Sequence, residues 1–252
     1  MSIQSERDLL GLLRIGKIVG LTLEEMRAKL RPGVTTQELD LLAAAILRQH
    51  GARSAPYITY QFPGTTCISL NDEAAHGIPG SRVIREGDLV KLDVSAELDG
   101  YFADAALTVA IPPVSAAAQK LLDGANAALE AAINAARAGH AINQIGRAAE
   151  TTAHRYGLRI VRELTGHGVG RGLHEDPRAV PNFYVPSATR PLTDGLVIAV
   201  EPHLTTGRGR LDTDANGWTI RTRDRQPVAN FEHTIAIMGD EPIRLTALQS
   251  GG

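Results

Sequence analysis

Apolar residues recur at the spacing of an α-helix along the first thirty positions of the chain. This pattern places five apolar side chains on one buried side, namely Leu9, Leu10, Leu13, Val19 and Leu23. Thr35 followed by Glu38 is a capping-box signature and starts a second helix, which ends at Gly51. The periodicity predicts four helices, over about residues 6–30, 35–51, 115–138 and 141–156.

Short apolar runs with alternating polar positions predict strands between these helices. Asp99-Gly100 is a strong two-residue hairpin signal, because both turn positions tolerate a positive φ. A turn centred there pairs Leu98 with Tyr101 and Ser95 with Asp104, and it makes one face of the hairpin apolar throughout. Strands are expected over about residues 66–71, 88–98, 101–110, 196–201, 218–223 and 231–238.

The order of two helices, a strand and a hairpin is written twice in the chain. Gly33 recurs as Gly139 at an offset of 106 residues that other positions share, and acidic residues recur at matching strand positions. Chance similarity between two alanine-rich regions is the alternative, but it does not account for the acidic residues. We predict an α+β fold with an internal pseudo-twofold repeat, in which helices cover an antiparallel sheet. A single domain is expected over residues 1–252, with halves at about 6–111 and 112–240.

Two carboxylates, Asp93 and Asp104, are diagonal neighbours on the polar face of that hairpin. Their backbones are expected about 7–8 Å apart, so that they can hold one ion together or one of them can bridge to a second ion. A register shift of one residue would put them on opposite faces, and ordinary surface exposure is the alternative for a lone Asp. Glu201 and Glu232 repeat the arrangement. Four converging carboxylates require positive charge between them, which predicts a metal centre with two ions.

Histidines accompany these acids. Gly166-His167-Gly168 places an imidazole among glycines, which we expect to let the backbone approach a ligand. A phosphate-binding loop is the alternative, but the Gly-Lys-Ser/Thr ending of a P-loop is absent. His76 and His174 lie in loop-like H-x-x-P segments beside the carboxylates, whereas His203 and His233 are interpreted as supporting or packing residues. One imidazole with four carboxylates suits Mn²⁺, Fe²⁺ or Co²⁺ and admits Zn²⁺.

Composition narrows the function classes. The net charge of -2 gives no electrostatic reason to expect nucleic acid as a partner, and the arginines of residues 208–225 alternate with aspartates, as in a solvated surface hairpin. No apolar stretch approaches the ~18 residues of a membrane span. Cys67, the only cysteine, excludes an intrachain disulfide and is expected to be a small buried residue. The charged N-terminus lacks a signal-peptide pattern, so the cytoplasm is the expected compartment.

Five segments, in this order and spacing, make the chain resemble a type I methionine aminopeptidase of the short bacterial form, within the M24 peptidases. They are Asn71-Asp72-Glu73-Ala74-Ala75-His76-Gly77-Ile78-Pro79, the Asp93/Asp104 hairpin, Gly166-His167-Gly168-Val169-Gly170-Arg171-Gly172-Leu173-His174-Glu175, Val200-Glu201-Pro202 and Phe231-Glu232-His233-Thr234. The resemblance runs over nearly the whole length. It implies the pita-bread fold, whose internal pseudo-symmetry agrees with the repeat.

The resemblance implies hydrolysis of the bond that follows an N-terminal methionine, at a centre of two divalent cations (Co²⁺, Mn²⁺, Fe²⁺ or Zn²⁺). Asp104 and Glu232 would bridge the two ions. The full set of metal ligands that it implies is Asp93, Asp104, His167, Glu201 and Glu232. Glu201 is also implied as the proton shuttle. His76 and His174 would contact the substrate and the tetrahedral intermediate.

A methionine pocket lined by Tyr60, Phe62 and Trp218, with Cys67 behind it, follows from the same resemblance. The implied substrate is the N-terminal methionine of nascent polypeptides, handled near the ribosome. Some members also imply a monovalent cation near the Asn71 loop. We expect a monomer, because positive and negative charges are nearly balanced and no apolar patch is obvious. The alternatives are a proline-directed M24 aminopeptidase, which usually has an extra N-terminal domain, and a non-catalytic pita-bread binding protein, which would lack metal ligands.

Overall fold

Local sequence signals begin the helices of this computed structural model, which describes residues 1–239 and 241–247. Ser5 caps the first helix by accepting a hydrogen bond from the Asp8 amide, and the Thr35–Glu38 capping box is formed in both directions. The helices in these residues are α1 (Glu6–Lys29), α2 (Thr36–Gln49), α3 (Ala55–Tyr60), α4 (Ala116–Ala135) and α5 (Asn143–Arg155). None of these helices has the length and apolarity needed to cross a membrane.

Strands are numerous, and most of them are short. In chain order they are β1 (Arg53–Ser54), β2 (Cys67–Leu70), β3 (Glu73–Ala75), β4 (Leu89–Leu98), β5 (Tyr101–Ala110), β6 (Arg159–Ile160), β7 (Gly166–Gly168), β8 (Glu175–Val180), β9 (Val197–Val200), β10 (His203–Thr205), β11 (Leu211–Thr213), β12 (Ile220–Thr222), β13 (Val228–Asn230), β14 (Glu232–Ala236) and β15 (Ile243–Arg244).

One antiparallel sheet runs through both halves of the chain. Its strand order is β1-β4-β5-β14-β9-β7-β8, with β2 also paired to β4 and β15 to β14. The two halves meet where β5 pairs with β14, at Ala106 opposite Glu232 and Ala105 opposite His233. Two three-stranded sheets, β13-β10-β6 and β11-β12-β3, flank it. The predicted antiparallel sheet and helix-covered α+β architecture are confirmed.

The β4–β5 hairpin has the register predicted from its turn. Leu98 lies opposite Tyr101 and Ser95 opposite Asp104. Asp99 and Gly100 both adopt positive φ angles, 53° and 79°, as a two-residue turn of this type requires. The apolar face of the hairpin is buried, and it packs against α1. The polar face is therefore left for the carboxylates.

Each half of the sheet has its own apolar core beneath its own pair of helices. α1 packs against β4 and β5, and α2 packs against α1 and β1, whereas α4 and α5 pack against the second half. The predicted buried side of α1 was partly wrong: Leu10 is 58% exposed, although Val19 and Leu23 are buried. Leu10 follows Leu9 by 100° around the helix axis and therefore leaves the face that Leu12 and Ile15 complete.

The arginine-rich segment forms the predicted hairpin, in which β11 pairs with β12. Its interpretation as fully solvated was wrong for Arg221. This side chain is mostly buried and forms ion pairs with Asp72 at 3.0 Å, Glu73 at 3.2 Å and Asp214 at 2.6 Å. Because Glu73 lies on β3, the guanidinium fastens the hairpin to the strand that leads to His76.

Candidate metal centre and substrate cavity

The carboxylates of Asp93 and Asp104 lie together on the polar face of the β4–β5 hairpin. Asp93 is opposite Ala106 and Asp104 is opposite Ser95, so the two aspartates are the diagonal neighbours that the alternation predicts. Asp93 is partly buried, and only 7% of Asp104 is exposed. Lone surface aspartates would not be enclosed in this way, so the alternative of ordinary exposure is wrong for this pair.

The second half brings its acids to the same place. Glu201 directly follows β9, and Glu232 begins β14. His167, in the middle of β7, has its Nε2 atom 3.5 Å from Glu201 Oε1 and 3.8 Å from Asp104 Oδ2. One ligand atom from each of Asp104, His167 and Glu232 lies within 4.8 Å of the others. All five sequence-predicted ligands line one cavity.

The glycines on either side of His167 have a different role from the predicted one. Gly166 and Gly168 lie in a strand rather than in a loop, and a Cβ atom on either would overlap neighbouring backbone, at Ala199 or at Asp176. They therefore allow β7 to lie closely between β9 and β8, not to approach a ligand. A phosphate-binding loop is excluded for this segment because its amides belong to the sheet.

The tautomer of His167 follows from its partners. Nδ1 lies 3.1 Å from the carbonyl oxygen of Gly168, which can only accept a hydrogen bond. Nδ1 therefore carries the proton and Nε2 presents its lone pair towards the carboxylates, as a metal-ligating imidazole requires. Burial, with a smaller contribution from neighbouring His174, lowers the pKa of His167 to about 3. The ring is neutral at physiological pH.

The acids are held in an environment that opposes their ionisation. Burial raises the pKa of Asp93 to about 7. Burial and the neighbouring carboxylates also raise the pKa values of Asp104, Glu201 and Glu232 well above the usual range. Such shifts are expected where like charges share a dry site, and a divalent cation between the groups would reverse them.

Two buried oxygens lie where a divalent cation would fit. Asp104 Oδ1 and Glu232 Oε1 are enclosed and have no hydrogen-bond partner among the described residues. They belong to opposite halves of the chain and to the two residues implied as bridging ligands. Buried carboxylate oxygens without donors are costly, whereas hard oxygen donors next to an imidazole suit divalent cations of the first transition row. The residues therefore fit the metal centre that the sequence predicts.

The cavity beside these acids has a volume of about 310 Å³. Phe62 and Trp218 form its apolar wall, with their rings edge to face at 5.2 Å. Tyr60 is 46% exposed and lies towards the mouth, and Cys67 lies on the floor, opposite Asp93 in the β2–β4 pairing. Cys67 is buried, as expected, and this burial raises the pKa of its thiol well above the usual range. All the residues predicted to line a pocket are therefore brought together.

His76 and His174 both line the cavity. The ring of His174 is 4.0 Å from that of His167, and its Nδ1 is 2.7 Å from the Tyr60 hydroxyl. His76 has a φ of 54°, a left-handed conformation that is uncommon outside glycine and directs its side chain into the cavity. Partial removal of both rings from water lowers their pKa values. Both imidazoles are therefore largely neutral near pH 7.

Several supporting residues were not recognised as such in the sequence. Thr234 uses its hydroxyl to accept from the Asp104 amide at 2.8 Å and to donate to the Asp104 carbonyl at 2.7 Å. Asn182, completely buried, donates to the Glu201 carbonyl at 3.1 Å. His203 donates from Nδ1 to the same carbonyl at 2.9 Å, which agrees with its predicted supporting role. Of the two residues that were not recognised, Thr234 and Asn182, only Thr234 had a sequence signal, through its place after Glu232.

Comparisons with known proteins agree with this geometry. The model of metallopeptidase family M24 matches residues 11–238. Methionine aminopeptidase 2 of Bacillus subtilis (strain 168) is 44% identical over 249 residues, which cover 98% of this chain and 100% of that protein. The crystal structure of methionine aminopeptidase from Thermotoga maritima has a TM-score of 0.93 at 32% identity and covers 98% of this chain and 100% of its own.

A prolidase from Pyrococcus furiosus shares the fold at a lower level. Its TM-score is 0.79 at 20% identity, and the match covers 98% of this chain but 66% of the prolidase. At this identity the similarity establishes the architecture alone. The full-length relatives are methionine aminopeptidases, so a proline-directed activity is not favoured.

Proposed function

The chain belongs to metallopeptidase family M24, and on this basis we propose that it removes the N-terminal methionine from peptides and nascent proteins by hydrolysis. It is a metallo-exopeptidase with the pita-bread fold. The observation that carries the proposal is the pair of unpaired buried oxygens, Asp104 Oδ1 and Glu232 Oε1, beside His167. A non-catalytic member of the fold would have no reason to keep these carboxylates at such an electrostatic cost.

We propose that Asp104 and Glu232 would serve both divalent cations, whereas Asp93 would serve one of them and His167 and Glu201 the other. Bound divalent cations would lower the pKa of a water molecule and polarise the scissile carbonyl. The buried carboxylates would then be fully ionised, which their pKa values oppose in the absence of positive charge.

We propose that Glu201 moves the proton of the reaction. Its carboxylate lies between His167 Nε2 at 3.5 Å and His203 Nδ1 at 3.8 Å, at the side of the cavity. Burial raises its pKa well above the usual range, so a proton taken from water could be held and passed on to the departing amine.

His174 and His76 are the groups for the substrate carbonyl and its tetrahedral intermediate. With the Tyr60 hydroxyl donating to His174 Nδ1, Nε2 keeps its hydrogen and can donate it to an oxyanion. The methionine side chain would lie against Phe62 and Trp218, whose rings offer an apolar wall for a thioether. Tyr60 would contact the substrate at the mouth of this pocket.

The wider setting is part of the proposal. We infer that the chain is a single catalytic domain and acts as a cytoplasmic monomer on nascent polypeptides close to the ribosome. The proposed domain spans residues 1–252, with pseudo-symmetric halves at about 6–111 and 112–240. Residues 240 and 248–252 lie outside the described part of the chain. The two metal ions are proposed to be Co²⁺, Mn²⁺, Fe²⁺ or Zn²⁺, since the ligand types accept all four.

The decisive experiment compares two peptide classes with one enzyme preparation. Protein loaded with Mn²⁺ or Co²⁺ is expected to release methionine from Met-Ala-Ser and to leave Xaa-Pro peptides largely intact. Treatment with EDTA should abolish the activity, and added metal should restore it. Preferential cleavage of Xaa-Pro would overturn the assignment, and full activity after EDTA treatment would remove the metal from the mechanism.

A further inference from the structure

A buried lysine lies next to the metal centre and has no role in the proposed chemistry. Lys91 is on β4, two positions before Asp93, and only 3% of it is exposed. Its Nζ atom donates to two backbone carbonyls, that of Asn71 at 3.1 Å and that of Val228 at 3.0 Å. Among the described residues, it forms no ion pair within 4.0 Å. Lysine is seldom buried without a carboxylate partner, so this placement requires an explanation.

The two carbonyls belong to segments that lead directly into the site. Asn71 lies in the turn between β2 and β3, with a left-handed φ of 55°, and the chain continues from it towards His76. Val228 begins β13, which is followed within the next residues by Glu232. The Val228 amide also donates to the Asn71 carbonyl at 3.0 Å. Lys91 therefore joins the strand of Asp93 to two further segments that carry site residues.

The carbonyls of Asn71 and Val228 are the kind of donor found in alkali-cation sites. Backbone carbonyl oxygens that converge from different segments on one buried position are the donors that replace the hydration shell of K⁺. Here the position between the oxygens is filled by the side chain of the protein itself. We propose that the Lys91 amino group takes the place of a monovalent cation at the Asn71 turn, so that this chain positions its site without Na⁺ or K⁺.

This inference goes beyond the proposed function and differs from the expectation of a monovalent cation near the Asn71 loop. It does not depend on the charge of the lysine. Burial lowers the pKa of Lys91 to about 7, while Glu73 and Asp72 act to raise it. A neutral amine still has two N–H groups, so both carbonyls remain paired in either protonation state.

Thermal unfolding of the metal-loaded protein in KCl, NaCl and choline chloride, at one ionic strength, tests the proposal. The wild-type melting temperature should be the same in all three salts. Lys91→Met keeps the volume but removes the donor that both carbonyls share, and it should lower the melting temperature by about 5–15 °C in every salt. Lys91→Ala opens space between the carbonyls, and K⁺ or Na⁺, but not choline, should recover at least about half of the loss.

Lys17→Ala, which removes an exposed lysine of α1, is the control and should respond to none of the salts. If Lys91→Ala does not fold, Lys91→Ser, whose hydroxyl can pair with one carbonyl, enters the same comparison. A wild-type protein that K⁺ stabilises more than choline does would overturn the proposal. A small-side-chain variant with equal melting temperatures in KCl and choline chloride would do so as well. Because the measurement is unfolding, the result is independent of whether Met-Ala-Ser is cleaved.

Discussion

The Thr234 hydroxyl binds both backbone groups of Asp104, across the junction between the two halves. It accepts from the Asp104 amide and donates to the Asp104 carbonyl, and no other side chain holds that backbone among the described residues. Orientation of a ligand by such neighbours affects metal affinity. A misplaced carboxylate must be reordered when the ion binds, and this reordering costs binding free energy. The contribution of Thr234 is therefore separable from that of the ligand itself.

Replacing Thr234 with valine should weaken binding of the divalent ions by about 10-fold or more while leaving the fold intact. Valine has nearly the same shape but cannot donate or accept, so the Asp104 amide and carbonyl lose their partner. Calorimetric metal titration measures the effect. Thr213→Val, at an exposed position of β11, is the matched control. Equal affinities in the two variants would show that Thr234 has no positioning role.

Removing a bridging carboxylate should have a larger effect. Asp104→Ala or Glu232→Ala is expected to lower kcat/KM on Met-Ala-Ser by at least about 100-fold, because both ion positions lose a ligand at once. The exposed carboxylate of Glu86 provides the control, and Glu86→Ala should retain full activity. If either bridging variant remained fully active, the dinuclear assignment would have to be abandoned.

The strand β7 has little room for added atoms. Gly166 contacts the backbone of β9 and Gly168 contacts the backbone of β8, at distances that leave no room for a Cβ atom. A three-residue strand enclosed on both sides can be displaced only as a whole. The imidazole of His167 must then move away from Glu201 and Asp104.

Gly168→Ala should lower the free energy of unfolding by about 1–3 kcal/mol, the usual cost of adding a methyl group to a filled interior. Gly172→Ala, only four residues away, meets no atom within 4 Å and should leave stability nearly unchanged. Urea denaturation of the two variants gives the comparison. Metal titration should show weaker binding for Gly168→Ala alone. A Gly168→Ala protein with wild-type stability would contradict the close packing described for β7.

Secondary structure could be predicted from the sequence where an element is long or where its turn residues are typical of one turn type. The β4–β5 register could be predicted because Asp99-Gly100 fixes the turn and ten alternating residues on each side agree with it. The short strands β7, β8, β10 and β13 could not, because three to six residues show no periodicity and their pairing depends on distant segments. Helix α3 was missed for the same reason.

Contacts between distant segments also limited how much of the site could be predicted from the sequence. Its five candidate ligands were recognised because acidic residues recur at repeat-related positions in apolar strands, and because the family resemblance adds His167. Lys91 and Asn182 were not recognised, since a lysine or an asparagine in a strand or loop carries no sign of the carbonyl it will meet. Such contacts join residues more than 15 positions apart and exist only once the chain is folded.

For the whole molecule, the carboxylate cluster makes stability depend on pH in an unusual direction. A carboxyl group whose folded-state pKa is raised stabilises the fold below its unfolded pKa, and this contribution is lost as pH rises through the folded value. For Asp93 this loss of stability occurs between about pH 4 and about pH 7. Neutral His167, with a folded pKa near 3, acts in the opposite direction, but its contribution is complete above about pH 6.5.

Metal-free protein should therefore lose stability between about pH 6.5 and pH 8, where ionisation of the four buried acids outweighs the opposite effect of Lys91. Burial lowers the pKa of Lys91 to about 7, so this lysine favours the folded state as pH rises above that value. Added divalent cation should remove most of this loss and release protons as it binds. Melting temperatures measured across this range, with EDTA and with Mn²⁺, test the sign. A metal-free protein that becomes more stable over the same interval would show that the acids are ionised without an ion.

The short pairing of β5 with β14 has a consequence for how the metal preference of the enzyme can change. Beyond Ala105 and Ala106 the contact continues through hydroxyls instead of a ladder. Thr234 of β14 binds the Asp104 backbone, and Thr108 of β5 donates to the Asn230 carbonyl of β13. Asp93 and Asp104 belong to one half, whereas Glu201 and Glu232 belong to the other. A small change in the tilt between the halves would therefore alter the spacing of the two proposed ion positions without disturbing either pair of acids. Substitutions far from the cavity, in the packing of α1 or α4 against the sheet, could in this way change metal preference.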